Sequence, residues 1–166
     1  LELGHRDIGL FVAGLRVPSG DSLLGFERAL ARYDLKPRRE WLFSNEGILR
    51  YEPEGALLAQ KFLSLKKRPM AICIGNDYCA AAFVKVLSDA GVNVPREVSV
   101  VGYDDDAIAP YAQVPLTTIN TAQEVMSQHI IELISSRLSG EYSKGARYVE
   151  VRGSLVARAS TAPAST

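Results

Sequence analysis

The stretch that decides the fold is MAICIGND, residues 70–77. Its first five residues are apolar without interruption, which is typical of a strand buried on both faces of a parallel sheet. The next three residues, GND, break the strand, and residues 78–90 then place Ala82, Val86 and Leu87 at helical spacing before Gly91. This segment therefore predicts a strand, a short polar loop and a helix.

The same strand, loop and helix unit recurs on either side of this stretch. Short apolar runs predict three further strands, over residues 8–13, 41–43 and 98–101. Helical spacing of apolar residues predicts helices from about residue 21 to 33 and over 54–65. Short strands that alternate with longer helices predict the α/β class, as a doubly wound and mostly parallel sheet flanked by helices.

The last third of the chain departs from this alternation. After a long polar loop over residues 102–115, residues 123–138 have the pattern of an amphipathic helix. Residues 148–151 and 154–156 predict a strand pair or one bent strand. Residues 159–166 contain only Ala, Ser, Thr and Pro, which predicts a frayed tail.

Composition and charge exclude several classes of protein. The 166 residues carry 19 Lys and Arg against 19 Asp and Glu, and 47% are hydrophobic, which excludes disorder and low-complexity architecture. A net charge of zero gives this chain by itself no basic footprint for nucleic acid. No apolar run approaches the ~20 residues that span a bilayer, and no secretory signal opens the chain. Because the first residue is Leu1 and not Met, we expect a piece of a longer protein.

Cysteine and histidine are too few for a metal site. Cys73 and Cys79 stand in apolar surroundings, which predicts two buried free thiols rather than a disulfide framework. His5 and His129 lie far apart in the sequence, which argues against a zinc site. We therefore expect neither a metal nor a cofactor.

Ligands of doubly wound sheets bind outside the carboxyl ends of the strands, which selects four loops as the candidate site. These loops offer amides, paired carboxylates, arginines and one or two aromatic side chains. Such a set suits a small, uncharged, hydroxyl-rich ligand. The residues concerned are Arg16, Ser19, Asn45, Glu46, Arg50, Tyr51, Asn76, Asp77, Tyr103, Asp104, Asp105 and Asp106.

The three consecutive carboxylates of residues 104–106 also raise the question of an enzyme, because such a cluster can hold Mg²⁺ or act as acid and base. No His, Cys or Lys stands in the four loops to complete a nucleophilic or Schiff-base set. We therefore expect no enzymatic activity. Asp77 directly precedes a predicted helix, so capping of that helix is as good an interpretation as ligand contact.

Several ordered motifs across nearly the whole chain resemble the effector-binding domain of LacI/GalR-type transcriptional regulators. The most specific is VPREVSVVGYDD at residues 94–105, followed by PLTTI at 115–119 and LVARAST at 155–161. The motifs LGHRDIG at 3–9, LGF at 24–26 and RPMA at 68–71 agree with it. The resemblance implies a periplasmic-binding-protein-like fold, in which two similar lobes enclose an effector cleft.

The resemblance also divides the chain into parts. Residues 1–119 correspond to the C-terminal lobe, 120–141 to a helix of the N-terminal lobe, 142–158 to strands that return to the C-terminal lobe, and 159–166 to a flexible tail. The DNA-binding head of the family is expected to be absent from this sequence. The apolar face of the 120–141 helix would then lack the strands on which it normally packs. It would need another partner, such as a second copy of the chain.

The effector contacts that the resemblance implies are Asp104, Asn76, Asp77, Arg16, Tyr51 and Ser22. Asp104 matches the family's effector-contacting Asp after Gly-Tyr, and Asn76 belongs to an Asn-Asp pair whose Asn often faces the effector. Arg16 corresponds to a polar contact of the first loop, and Tyr51 to an aromatic residue that stacks on the ligand. The family often has Arg where this chain has Ser22. Either Arg16 binds the effector in place of the family's arginine, or the effector differs from the common sugars.

Two functions remain open at this point. The first is effector sensing and dimerisation in a bacterial, cytoplasmic LacI-type regulator, in which a small molecule, expected to be a sugar, shifts the population of two lobe arrangements and so controls DNA affinity. It implies a homodimer that contacts operator DNA only through the absent head and has no membrane partner. The alternative is a solute-binding protein of a sugar transporter with the same fold, against which the two free cysteines argue.

Overall fold

The computed structural model describes residues 1–12, 20–44, 51–140 and 145–164, without the side chain of Tyr51. The strands and helices are β1 (Ile8–Val12), α1 (Gly20–Ala31), β2 (Leu42–Ser44), α2 (Tyr51–Ser64), β3 (Ala71–Ile74), α3 (Asp77–Asp89), β4 (Ser99–Val101), β5 (Thr118–Asn120), α4 (Gln123–Leu138) and β6 (Ser154–Val156). Short 3₁₀ turns cover Arg39–Trp41 and Ala109–Tyr111. The order of strands and helices predicted over the first four units is confirmed.

Four strands form one parallel sheet in the order β2–β1–β3–β4. Phe11 of β1 lies in the larger hydrophobic core together with Ile72 and Ile74 of β3. Ile8 and Ala71, from the same two strands, lie in a second and smaller core. Alternate residues of a strand point to opposite faces, so both faces of the sheet are covered. The predicted α/β class, with a doubly wound parallel sheet, is confirmed.

Helices α2 and α3 cover the larger core and α1 covers the smaller one. Phe62 of α2 and Phe83 of α3 are buried and meet edge to face, with ring centroids 5.3 Å apart. Gly55 lets these two helices approach closely, because a Cβ at that position would clash with the Cys79 carbonyl oxygen. On the other face, Leu30 of α1 packs into the smaller core. Among the described residues, none of the helices combines the length and apolar character needed to cross a bilayer.

Two segments near the end of the chain leave the sheet and return to it. A parallel bridge between Val101 and Thr117 continues the sheet edge into β5, and β5 then pairs with β6 in an antiparallel two-stranded sheet. We call β5 and β6 the crossing strands. Of the two late strands that the sequence predicts, only β6 forms. Residues 148–151 adopt no regular structure, since the described part of the chain offers no further strand beside them.

Helix α4 stands apart from both cores. None of its residues is buried, and its most exposed apolar side chains are Val125, Met126, Ile130, Ile131, Ile134 and Leu138. Single exposed apolar side chains are ordinary, but a contiguous stripe on one helix marks a surface that another element covers. Within the described residues, no element covers this face.

Residues 159–164, for which composition predicts a frayed tail, make hydrogen bonds to the strands. Ser160 is fully buried, where its hydroxyl donates to the Val100 carbonyl oxygen at 2.6 Å and accepts from Thr117 N at 2.8 Å. Ala164 N donates to Leu3 O at 2.8 Å. These hydrogen bonds hold the described residues of the segment against the strand ends. Small hydroxyl side chains that resemble a linker are held here by hydrogen bonds to strand ends.

Candidate functional site

Strands β3 and β4 are neighbours in the sheet, so the loops that follow them meet at one carboxyl edge. Asn76 follows β3 and is the N-cap of α3, because its Oδ1 accepts hydrogen bonds from Tyr78 N (2.9 Å) and Cys79 N (3.3 Å). The helix holds this oxygen, and the Nδ2 group donates to Asp104 Oδ2 at 3.2 Å. Two of the predicted site residues are thus brought together.

Asp104 lies in a turn whose backbone conformation is rare for residues other than glycine. Its φ angle is 105° and that of Asp105 is 55°. Outliers of this kind cluster at binding sites, where the surrounding structure holds them. Here Asp104 N donates to Ile119 O of β5 at 3.0 Å, which fixes the turn against a crossing strand. Beside the turn lies an open cavity of about 600 Å³, whose lining includes Asp104, Tyr103 and Thr121.

Asp77 is fully buried, and its carboxylate connects α3 to the loop after β4 and to β5. Its Oδ1 accepts from Thr118 Oγ1 at 2.7 Å and its Oδ2 from Asp106 N at 2.9 Å. Burial raises the pKa of Asp77, against the opposing effect of these two hydrogen bonds. Gly102 lies so close to Oδ1 that a Cβ there would clash. The sequence suggests helix capping or effector contact for Asp77, but Asn76 takes the cap and both Asp77 oxygens bind groups within the chain.

Asp105 binds both crossing segments. Its Oδ1 accepts from Arg158 Nη2 at 2.7 Å, and its Oδ2 accepts from Asn120 Nδ2 at 2.9 Å. The hydrogen bonds from Asn120 and Arg158 hold the pKa of Asp105 below its usual range. Sequence reasoning missed both partners, because Arg158 is 53 positions and Asn120 15 positions away from Asp105. The one available signal was the place of Arg158 in the LVARAST motif.

The three consecutive carboxylates therefore have three different surroundings. Asp104 lies at the cavity, Asp105 is paired with an arginine, and Asp106 is anchored through its backbone N–H. Burial raises the pKa of Asp106, and the negative charges of Asp104 and Asp105 add to that rise. In the described part of the chain, no three His, Cys, Asp or Glu side chains come close enough together to hold a metal ion. The cluster thus offers hydrogen-bond acceptors.

The remaining candidates lie on the side of β1 and β2. Residues 13–19 and 45–50 are outside the described residues, and Arg16 is among them. Tyr51 is the first residue of α2, and its side chain is not described. Ser22 is exposed in the first turn of α1. The site is therefore described from the β3 and β4 side.

Comparison with known proteins identifies the family to which this geometry belongs. The periplasmic-binding-protein-like domain matches residues 1–161, nearly the whole chain. The chain belongs to this family. In open α/β sheets such as this one, ligands bind outside the carboxyl ends of the strands.

Relatives of this periplasmic-binding-protein-like chain are LacI-type regulators. The HTH-type transcriptional repressor PurR of Edwardsiella ictaluri is 34% identical over 164 residues, which cover 98% of this chain and 47% of the repressor. The crystal structure of a LacI transcriptional regulator from a Rhodococcus species is 33% identical with a TM-score of 0.79, over 98% of this chain and 58% of that one. A sugar-binding regulator of the LacI family from Escherichia coli, solved with phosphate, is 28% identical with a TM-score of 0.83, over 98% and 57%.

The resemblance to the effector-binding domain of LacI-type regulators is thereby confirmed. These relatives are repressors and regulators rather than enzymes, which favours the regulator over the solute-binding protein of a transporter. The chain spans about half the length of the curated relatives it matches. The effector and partners of the whole protein are therefore matters of proposal.

Proposed function

We propose that this chain senses a small, uncharged, hydroxyl-rich molecule such as a sugar on behalf of a bacterial LacI-type regulator. The observation that carries the proposal is the pair formed by Asn76 and Asp104, with Nδ2 and Oδ2 3.2 Å apart at the carboxyl edge of the sheet. Asp104 of this pair lines the open cavity. The Escherichia coli relative described as sugar-binding supports this class of ligand.

Asp104 and Asn76 have complementary capacity for a hydroxyl-rich ligand. A carboxylate accepts about four hydrogen bonds, so the single bond from Asn76 leaves Asp104 able to accept from ligand hydroxyls. The Asn76 amide has two N–H donors, of which one is directed to Asp104. We propose Arg16, Tyr51 and Ser22 as further contacts from the β1 and β2 side. Asp77 acts behind them as the residue that positions the loop.

The second half of the cleft comes from a second lobe in this proposal. Residues 1–119 form one lobe, 120–141 contribute a helix to the other, and 142–158 return to the first. The exposed apolar face of α4 supports this division. An effector that binds one arrangement of the lobes more tightly shifts their population, and with it the DNA affinity of a helix-turn-helix such as the HTH-type relatives have. The regulator acts as a homodimer in the cytoplasm, where its operator DNA lies.

Isothermal titration calorimetry of the complete protein against uncharged mono- and disaccharides, purine bases and sugar phosphates tests the proposal. We expect an uncharged saccharide to bind, and Asp104→Ala to weaken that binding by roughly 1–3 kcal/mol, the value of a hydrogen bond to a charged group. Asp89→Ala is the matched control, because this carboxylate is 59% exposed at the far end of α3. The assignment would be overturned if no saccharide bound, if only purine bases or sugar phosphates bound, or if Asp104→Ala left the affinity unchanged.

A further inference from the structure

The ion pair between Asp105 and Arg158 differs from an ordinary surface pair. The carboxylate and guanidinium are 2.7 Å apart, and their side chains are only 15% and 20% exposed. Arg158 also donates from Nη1 to the Leu116 carbonyl oxygen at 2.8 Å, so both ends of its fork are engaged. By contrast, Lys85 and Asp89 form a pair of similar length, 2.8 Å, whose side chains are 65% and 59% exposed. Solvent screens the second pair far more than the first.

Asp105 joins the outgoing and the returning crossing strand. Asn120, at the end of β5, donates to Asp105 Oδ2 at 2.9 Å, while its own Oδ1 accepts from Ala122 N at 2.8 Å. That second bond forms the turn into α4, at which Ala122 has a φ angle of 53°. Arg158 follows β6 and holds the other Asp105 oxygen. One carboxylate is therefore bonded to the segments on both sides of α4.

The residue that precedes Asp105 is the one that faces the cavity. Asp104 N donates to Ile119 O at 3.0 Å, and a parallel bridge pairs Asp104 with Asn120. Because successive residues share a peptide plane, a displacement of Asp105 moves Asp104 and with it the bond to Asn76. The pair formed by Asn76 and Asp104 is thus connected to the crossing strands by a continuous network of hydrogen bonds.

We propose that Arg158 and Asp105 are positioning residues that couple the ligand-facing pair, Asn76 and Asp104, to the two crossing strands. Relative movement of the lobes twists the crossing strands, and the Asp105 carboxylate transmits that twist to Asp104. The reverse path carries ligand contact at Asp104 to the strands. The regulatory meaning of this coupling rests on the proposed function, but the coupling itself is a property of the ligand-free chain.

Nuclear magnetic resonance of the ligand-free, ¹⁵N-labelled chain tests the coupling. The side-chain amide of Asn76 is the reporter, because its Nδ2 donates to Asp104. We expect Arg158→Gln to shift the Asn76 side-chain resonances and to speed hydrogen exchange of the Asp104 amide about tenfold, as loss of the charge-assisted hydrogen bond to Asp105 implies. Lys85→Gln, which breaks the exposed pair, should change neither.

Two further variants separate coupling from a general loss of stability. Leu30→Ala destabilises the smaller core on the opposite face of the sheet and should leave the Asn76 resonances unchanged. Asp105→Asn combined with Arg158→Gln should shift them no further than the larger single effect, because both changes break the same bond. Arg158→Lys keeps the charge without the fork and should recover part of the wild-type position.

An Arg158→Gln chain with wild-type Asn76 resonances and wild-type Asp104 exchange would overturn the proposal. If Arg158→Gln does not fold, Arg158→Lys replaces it, and unchanged Asn76 resonances in that variant would overturn the proposal equally. No ligand enters these measurements. If no compound binds in calorimetry, the sensing function alone is rejected. If the Asn76 resonances do not change in the variants, the coupling alone is rejected.

Discussion

Replacement of Asp77 removes the buried carboxylate that connects three segments around the site. Its oxygens accept from Thr118 Oγ1 at 2.7 Å and from Asp106 N at 2.9 Å, and Asp77 itself begins α3. Asp77→Ala leaves the buried Thr118 hydroxyl and the Asp106 N–H without this acceptor. Asp77→Asn keeps the shape of the side chain, since the amide can accept from Asp106 N and donate to Thr118 Oγ1.

The two variants should differ strongly in stability. Two hydrogen bonds to an ionised group contribute about 1.5–3 kcal/mol each, and burial of the charge, which raises the pKa of Asp77, offsets part of that sum. We therefore expect Asp77→Ala to lower the free energy of unfolding by about 3 kcal/mol and Asp77→Asn by less than about 1 kcal/mol.

The stability difference between the wild type and Asp77→Asn should also depend on pH. A raised pKa means that folded Asp77 binds its proton more tightly than the unfolded chain does. The wild-type protein therefore loses stability relative to Asp77→Asn as the pH rises from the usual Asp value of 3.8 through the folded-state pKa. At pH 7 this loss is complete if the folded-state pKa lies below neutrality.

Urea unfolding followed by the fluorescence of Trp41 measures these differences. Trp41 is the single tryptophan and is buried in the larger core, so its emission reports the folding of the sheet. The unfolding midpoint and slope give the free energy of unfolding for each variant. The reasoning would be refuted by an Asp77→Ala protein within about 0.5 kcal/mol of wild type, the range of a neutral surface change. It would also be refuted if Asp77→Asn were as unstable as Asp77→Ala, since charge rather than hydrogen bonding would then decide.

Three further predictions follow from the same contacts. Gly102→Ala places a Cβ against Asp77 Oδ1 and should lower the free energy of unfolding by about 1–3 kcal/mol in the urea assay, whereas an unchanged midpoint would contradict this contact. Ile130→Gln combined with Ile134→Gln should reduce self-association of the chain in sedimentation velocity at a cost below about 0.5 kcal/mol, because these side chains are 48% and 54% exposed; persistent association would assign the contact to another surface. Asp105→Asn should destabilise the chain at pH 7 but progressively less below the usual Asp value of 3.8, since stability that comes from a lowered pKa is lost as the pH falls through it. A difference that stays constant with pH would argue against the paired carboxylate.

The strands and helices were predictable because their signals are local. Residues 70–74 are apolar in sequence, and β3 covers Ala71–Ile74. The GND break ends that strand as predicted, and α3 begins one residue earlier than the pattern indicates, because Asn76 rather than Asp77 is the cap. Residues 159–164 had no such local signal. Their composition is that of a linker, and only contacts with strand ends hold them.

The candidate site was predictable in part for the same reason. Asn76 and Asp104 each follow a buried strand, and the rule for doubly wound sheets places such residues at one edge. The family resemblance singled out Asp104 among the carboxylates, and Asp104 lines the cavity. What Asp77, Asp105 and Asp106 bind was not predictable, because the side chains are chemically alike. Their roles differ through donors brought to them from elsewhere in the chain, such as Arg158 for Asp105.

The order of apolar and polar residues was sufficient to predict an α/β sheet and the ends of its strands. The motifs were sufficient to indicate its family. Tertiary structure alone decided that Asp77 is buried, that Asp105 joins both crossing strands and that the Ser160 hydroxyl binds Val100 of β4. These outcomes rest on hydrogen bonds across 41, 53 and 60 positions of sequence. Hydrophobic periodicity is a property of neighbours along the chain. The environment of a carboxylate, by contrast, is set by whichever donors the completed fold holds within about 3 Å of it.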